Sequence, residues 1–210
     1  MSTHTEAVRM AETLSPALRA FSETLDALVR RHNTDGQTIV TQIHPHFVEL
    51  IADTSWLDER LLLPADGSGQ TAARLLAAAP DESWTIVAVA FPPGATTPVH
   101  DHHTWGLVGV VRGSETEERY ERLDDGTRPG FARLRHVDTA ENRAGAISHI
   151  VPPTLEIHRI HNSSEIATCS IHVYGGNLAK MIRNQYDLER NTVEIHQPAY
   201  VPVSTSSGGD

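Results

Sequence analysis

Two histidines separated by a single residue, His100 and His102, lie in the stretch Thr97-Pro-Val-His-Asp-His-His-Thr-Trp-Gly106, and a third, His158, stands in Leu155-Glu-Ile-His-Arg-Ile-His-Asn162. Residues i and i+2 of an extended segment point to the same side, so a His-x-His pair offers two imidazoles next to each other. A third imidazole from a distant strand completes three corners of an octahedron and leaves three positions for ligands that react. Imidazole suits iron, copper, nickel and zinc alike, so the donors alone do not choose the metal.

A second constellation lies in Cys169-Ser-Ile-His-Val-Tyr174, where Ser170, His172 and Tyr174 share one strand face and Ile171 and Val173 the other. The polar face either meets water or forms a buried hydrogen-bonded chain. Cys169, the single cysteine, alternates away from it and is expected as a small buried residue. One cysteine excludes an internal disulfide framework and cannot build a thiolate zinc site. The chain carries 13 histidines, and position must choose among them. His103 alternates away from the His100 and His102 pair, His161 faces opposite to His158, and His44, His46, His136 and His149 have no constellation around them. Trp105 is expected as wall or core near the site.

The elements that hold these residues change character along the chain. Ser15 and Pro16 form a helix start, and Leu18, Phe21, Leu25 and Leu28 follow at helical spacing. Asp35-Gly36 ends that helix, and Ile39, Ile43, Phe47, Leu50 and Ile51 mark a second one, which Pro45 should kink or restart. Pro64 to Gln70 reads as a loop. From Ser83 the pattern becomes extended, with strands expected at 84–91, 104–112, 114–123, 131–136, 147–151, 155–160 and 166–174. Many short strands with Gly and Pro turns predict an all-β sandwich or barrel. We divide the chain into a helical segment (1–64), a β-barrel with the metal site (65–185), and a C-terminal extension (186–210) whose tail from Pro198 is expected to be flexible.

Bulk properties bound the function. The 210 residues carry 17 Lys+Arg against 27 Asp+Glu, a formal charge of -10, which speaks against unspecific attraction to nucleic acid or an anionic membrane. No apolar run approaches a membrane span and the first thirty residues lack a signal-peptide core, so a cytoplasmic protein is expected. Nothing in the sequence fixes the oligomeric state.

The motifs also carry a family resemblance. Gly94, five residues, His100-Asp-His102 and then Gly113 resemble the first signature of the cupin superfamily, and Pro152 or Pro153, His158 and Asn162 resemble the second. The resemblance implies a mainly β fold, a cupin jelly-roll barrel or double-stranded β-helix, with the N-terminal helical segment packed on it. Gly106 stands where most metal-binding cupins place a glutamate ligand. A three-histidine cupin without that carboxylate looks like the cysteine dioxygenase superfamily, and Ser170, His172 and Tyr174 resemble its relay beside the metal.

Within that superfamily, Thr97-Pro-Val-His-Asp-His, Trp105-Gly-Leu-Val-Gly, Arg112-Gly113, Ile171-His-Val-Tyr-Gly175 and Asn177 look most like the bacterial 3-mercaptopropionate dioxygenase branch. Gly106 also replaces the cysteine that animal cysteine dioxygenases cross-link to their active-site tyrosine. The resemblance implies Fe(II) on His100, His102 and His158, with a small thiol acid and O2 as substrates and a sulfinate as product. It assigns Tyr174, His172 and Ser170 to catalysis. Arg183 falls where the branch carries its carboxylate-binding arginine. A second polar substrate contact falls on Ala73 in the best register and on Arg74 one residue further, so Arg74 is the other candidate to bind substrate. Two other readings remain open: a cupin oxygenase or lyase cleaving a carbon-carbon bond in a diol or diketone, and a non-catalytic cupin that binds a small acid.

Overall fold

The computed structural model describes residues 14–33, 35–62, 71–154 and 156–197. Helix α1 spans Pro16–His32, started by the Ser15 side chain, which accepts from the Leu18 N–H, and ended on the basic residues Arg30, Arg31 and His32. Its buried row is Leu18, Phe21, Leu25 and Val29, with Leu28 only partly buried beside it. Helix α2 spans Gly36–Ala52 and is capped by Asp35, whose carboxylate accepts from the Thr38 N–H. Its predicted apolar face is buried in full, and the helix runs on through Pro45 without restarting.

A short 3-10 turn, Glu59–Leu62, leads to eleven strands: β1 (Ala72–Ala78), β2 (Trp84–Phe91), β3 (Val99–His100), β4 (Gly106–Arg112), β5 (Ser114–Arg122), β6 (Leu134–Arg143), β7 (Ile147–Ile150), β8 (Ile157–His161), β9 (Thr168–Gly175), β10 (Arg183–Asp187) and β11 (Thr192–His196). They form two antiparallel sheets, β1-β2-β9-β4-β7 and β11-β10-β3-β8-β5-β6. From β2 to β5 and again from β6 to β10, the chain passes from one sheet to the other at every strand. That alternation is the double-stranded β-helix, so the mainly β jelly-roll with two N-terminal helices is the architecture of this chain.

The first sheet is covered on both sides. Ile86, Ala88, Leu107, Cys169, Ile171 and Val173 pack in one cluster with α1 and α2, whereas Val87, Val89, Val108, Ile150 and Tyr174 pack in another that faces the second sheet. β2 is accordingly buried at every position, and its sequence is an unbroken apolar run apart from Thr85. Helix α2 comes close to β4 because Gly109 has no side chain: a Cβ there would stand 2.8 Å from the Phe47 ring and 2.9 Å from Ile51.

Four strands, β1, β3, β10 and β11, go beyond the expected set. β1 is Ala-Ala-Arg-Leu-Leu-Ala-Ala, a composition with helical propensity, held extended by its ladder to β2. The boundary drawn at 185/186 falls inside β10, which pairs with β3 and β11, so the second sheet continues to His196. The Pro64 to Gln70 loop and the tail from Pro198 lie outside the described residues. Among the described residues, no helix is long and apolar enough to cross a membrane.

Candidate metal centre

His100 closes β3 directly opposite His158 on β8, so hydrogen-bonded neighbours supply two of the three imidazoles. His102 follows two residues later, beyond the end of β3, in a turn that needs another support. Asp101 provides it: its buried carboxylate accepts from the Asn184 N–H (2.8 Å), the Asn184 side-chain amide (2.8 Å) and the Tyr186 hydroxyl (2.6 Å), and pairs with His103 Nε2 (2.9 Å). The turn is thereby tied to β10. His103 itself takes a positive φ of 54° and turns outward, as its alternation predicted.

All three histidines are buried, and their ligand atoms lie within 4.8 Å of one another. His100 Nδ1 donates to the Pro98 carbonyl (2.9 Å) and His158 Nδ1 to Glu117 Oε1 (2.8 Å), which leaves the Nε2 atoms of both as donors for a metal. The Nε2 atoms of His102 and His158 are 2.9 Å apart. Two nitrogens at right angles around an ion, with bonds of about 2.1 Å, would stand about 3 Å apart, so the spacing fits adjacent corners of one coordination sphere. Burial, then the neighbouring histidines and Arg183, press the His100 and His102 pKa values well below the usual range, so both offer lone pairs at neutral pH. The three histidines could hold a metal ion.

Glu117 is a partner that the sequence reading missed. It is buried on β5 and accepts from His158, from the Ser148 hydroxyl (2.6 Å), from the Asn142 amide (3.1 Å) and from Arg119 (3.3 Å). Burial alone would raise its carboxyl pKa. The hydrogen bond and charge of His158, followed by Arg119 and Ser148, outweigh burial and hold the group ionised, well below the usual carboxylate range. Gly106 shapes the opposite wall. A Cβ there would meet Tyr174 Cδ1 at 2.8 Å and the Val173 carbonyl at 2.9 Å, so neither a glutamate ligand nor a cysteine fits without displacing Tyr174.

Ser170, His172 and Tyr174 form the buried chain rather than a wetted face, because the sheet is covered on both sides. Ser170 Oγ lies 2.8 Å from His172 Nε2, and His172 Nδ1 lies 2.7 Å from the Tyr174 hydroxyl. The Tyr174 ring stacks on His102, with centroids 5.0 Å apart and planes 17° from parallel. Burial first, then the charges of His158 and Arg183, bring the His172 pKa down to about 3, so its ring is neutral. Cys169 points to the helix side and is buried, its thiol pushed up to about 12 by burial.

The two arginines part company. Arg183, at the start of β10, brings Nη1 to 3.5 Å from His102 Nδ1 and acts electrostatically on His100, His102 and His172. Arg74 lies on the far side of the first sheet: it donates to the Leu61 carbonyl at 3.4 Å, while its neighbours Ala73 and Leu75 pack with Tyr174 on the metal side. Strand alternation is the reason, and it removes Arg74 from the site. Trp105 packs in the helix-side cluster, against Gly36 and Gly175. His44 and His149 pair with each other at 2.8 Å. Asn162, from the second motif, is buried and ties Phe91, Pro92 and Ile166 together through their carbonyls. An open cleft of about 610 Å³ between the start of α2 and the Trp105 and Gly175 turns is lined by neither the three histidines nor the relay.

No family model matches the chain. Among solved structures it is similar to oxalate oxidase in complex with the substrate analogue glycolate, at 18% identity over 57% of this chain and 59% of that one, with a TM-score of 0.41. It is similar also to an uncharacterized conserved protein with a double-stranded β-helix domain from Klebsiella pneumoniae (16% identity, 60% of this chain, 88% of that one, TM-score 0.43) and to a cupin domain from Schizosaccharomyces pombe (15%, 51% and 66%, TM-score 0.38). The matched region spans less than two thirds of the oxalate oxidase chain. Likenesses at these scores assign neither activity nor substrate.

Proposed function

We propose that this protein is a non-haem iron(II)-dependent thiol dioxygenase of the cytoplasm, converting a small thiol carboxylic acid such as 3-mercaptopropionate or cysteine to its sulfinate with O2. One observation carries the reading: a buried Ser170-His172-Tyr174 chain ends on a tyrosine stacked against His102 of a three-histidine cluster. Iron(II) on His100, His102 and His158 would supply positions for thiolate and O2 side by side, lower the thiol pKa and mediate transfer of both oxygen atoms to sulfur.

The chain's own groups account for the rest. Arg183, with Nη1 3.5 Å from His102 Nδ1, would hold the substrate carboxylate in the fork geometry that guanidinium and carboxylate share. Tyr174 holds a proton at its hydroxyl, oriented by His172, where it can hydrogen-bond to the reacting groups. Val87, Val89, Val108, Ile150 and Leu178 pack in one apolar cluster with Tyr174, surroundings that would keep water from the reacting groups. The Glu117 carboxylate, the negative charge nearest His158, is already taken up by four donors, which favours a thiol acid without an ammonium group, 3-mercaptopropionate over cysteine.

Anaerobically iron-loaded protein tests this with an oxygen electrode and a panel of cysteine, 3-mercaptopropionate, mercaptosuccinate and cysteamine. Thiol-dependent O2 uptake is expected, fastest with 3-mercaptopropionate. No uptake with any thiol, or cleavage of a diol or diketone into two fragments instead, sinks the reading. Arg183→Met is expected to raise KM for the thiol acids by roughly 10- to 100-fold, the loss of about 1.5–3 kcal/mol of charged hydrogen bonding, while KM for cysteamine, which has no carboxylate, stays within a few-fold. An equal rise for both would remove Arg183 from substrate binding.

A further inference from the structure

The ladders around the metal centre align one row of side chains across the second sheet. His100 stands directly opposite His158, Arg119 stands opposite His158 on its other side, and Gln185 stands opposite His100. Residues directly paired in an antiparallel ladder present their side chains to the same face. From β10 to β5 the row is therefore Gln185, His100, His158 and Arg119, all on the metal side. Two further observations fix that face for Gln185. It follows Arg183 by two residues on β10, and Arg183 Nη1 comes to 3.5 Å from His102 Nδ1. The chain neighbours of the row, Tyr186, Val99, Ile157 and Tyr120, pack with one another on the opposite face.

The two ends of the row differ in what already occupies them. Arg119 donates to Glu117 Oε2 at 3.3 Å, so its guanidinium serves the carboxylate that aims His158. Gln185 is half-buried, and its side-chain amide makes no hydrogen bond to a described residue. We propose that Gln185 is a specificity-determining residue whose amide N–H donates to the carboxylate of the small acid at this site, beside the fork of Arg183. The proposal rests on the reading of the site as one for a thiol acid, and it adds a second, neutral anchor to it.

The chemistry of a carboxylate asks for such an anchor. Its two oxygens offer about four lone-pair sites, of which a guanidinium fork takes two. Those left over lose water as the acid enters a buried site, and each one unpaired weakens binding. Residues two apart on a strand stand about 6.7 Å apart along it, which lets the long side chains of Arg183 and Gln185 converge on one ligand group. An amide completes the set without placing another positive charge beside His100. A thiol that lacks the carboxylate gains nothing from this donor, so the pair selects acids.

The test uses the full chain loaded with cobalt(II) under nitrogen and follows the thiolate-to-metal absorption as 3-mercaptopropionate or ethanethiol is titrated in, so no turnover is needed. The wild type is expected to bind 3-mercaptopropionate the more tightly. Gln185→Leu should weaken 3-mercaptopropionate by roughly 10-fold, the worth of one hydrogen bond to a charged group, and leave ethanethiol within about twofold. Gln185→Glu keeps the shape but sets a negative charge against the ligand's own, so its loss should exceed that of Gln185→Leu, again for the acid alone. In an Arg183→Met background the effect of Gln185→Leu should shrink, because both residues hold one group. A wild type that does not distinguish the two thiols, an unchanged affinity for 3-mercaptopropionate in Gln185→Leu, or an equal loss for both thiols overturns the inference. Carboxylate-dependent losses in a protein whose iron form consumes no O2 would sink the dioxygenase reading and leave this one standing.

Discussion

His158→Ala is expected to abolish tight metal binding and, with it, thiol-dependent O2 uptake. A complete site of four ligands has an apparent binding energy of about 10–16 kcal/mol, roughly 3 kcal/mol per ligand, so losing one imidazole should weaken metal affinity by about 100-fold or more. The substitution also strips Glu117 of its donor on Oε1, at 2.8 Å, and leaves an ionised carboxylate 2% exposed. Losing a hydrogen bond to a buried charged group typically costs about 1.5–3 kcal/mol. The variant should therefore lose both metal, by elemental analysis after dialysis, and thermal stability. A variant that retains stoichiometric metal would remove His158 from the ligand set.

Glu117→Gln is the second large effect, and it separates the ligand from the group that aims it. The carboxylate fixes the Nδ1–H tautomer of His158 and raises the basicity of Nε2, and loss of such a partner costs roughly 10- to 100-fold in metal affinity. The amide can present either its oxygen or its N–H to His158, so the ring loses its single defined state. The effect on acid stability has a definite sign. The Glu117 pKa is lowered from its ordinary value of 4.5 in the folded chain, so its stabilisation is present above that value and fades as pH falls toward the folded one. Glu115 runs the other way. Its pKa is raised to about 7, so its stabilisation is full below about 4.5 and is lost as pH rises toward 7. Urea midpoints against pH should show Glu117→Gln with a shallower acid decline and Glu115→Gln with a shallower decline toward neutrality. Unchanged slopes would mean that neither carboxylate is tuned as described.

Much of the site was legible because local rules place it. A single residue between His100 and His102, and alternation through Ser170, His172 and Tyr174, fix shared faces wherever the backbone is extended. Resemblance then ordered the pieces. The same alternation decides between the two registers, since a shift of one residue exchanges the two faces of a strand: Ala73, which the best register favoured, packs on the metal side and Arg74 turns to Leu61. The two glutamates stayed hidden for a different reason. Ser114-Glu-Thr-Glu-Glu-Arg reads as a solvated strand, and only partners 41 residues away for Glu117 and 53 for Glu115 make their burial tolerable. Long-range pairing also makes β3, β10 and β11, which carry too few apolar residues to announce themselves. Both helices were legible from their caps and apolar spacing, and α2 continues through Pro45 because its packing on the first sheet outweighs a lost hydrogen bond.

The central claim is that both atoms of O2 reach the sulfur of a small thiol acid at the three-histidine site. Mass spectrometry of the product formed by the iron-loaded protein from 3-mercaptopropionate under isotopically heavy O2 measures that directly. The predicted product is the sulfinate carrying two heavy oxygen atoms, with one O2 consumed for each thiol lost. A product with a single labelled oxygen, a disulfide formed with release of peroxide, or an unchanged thiol would contradict it.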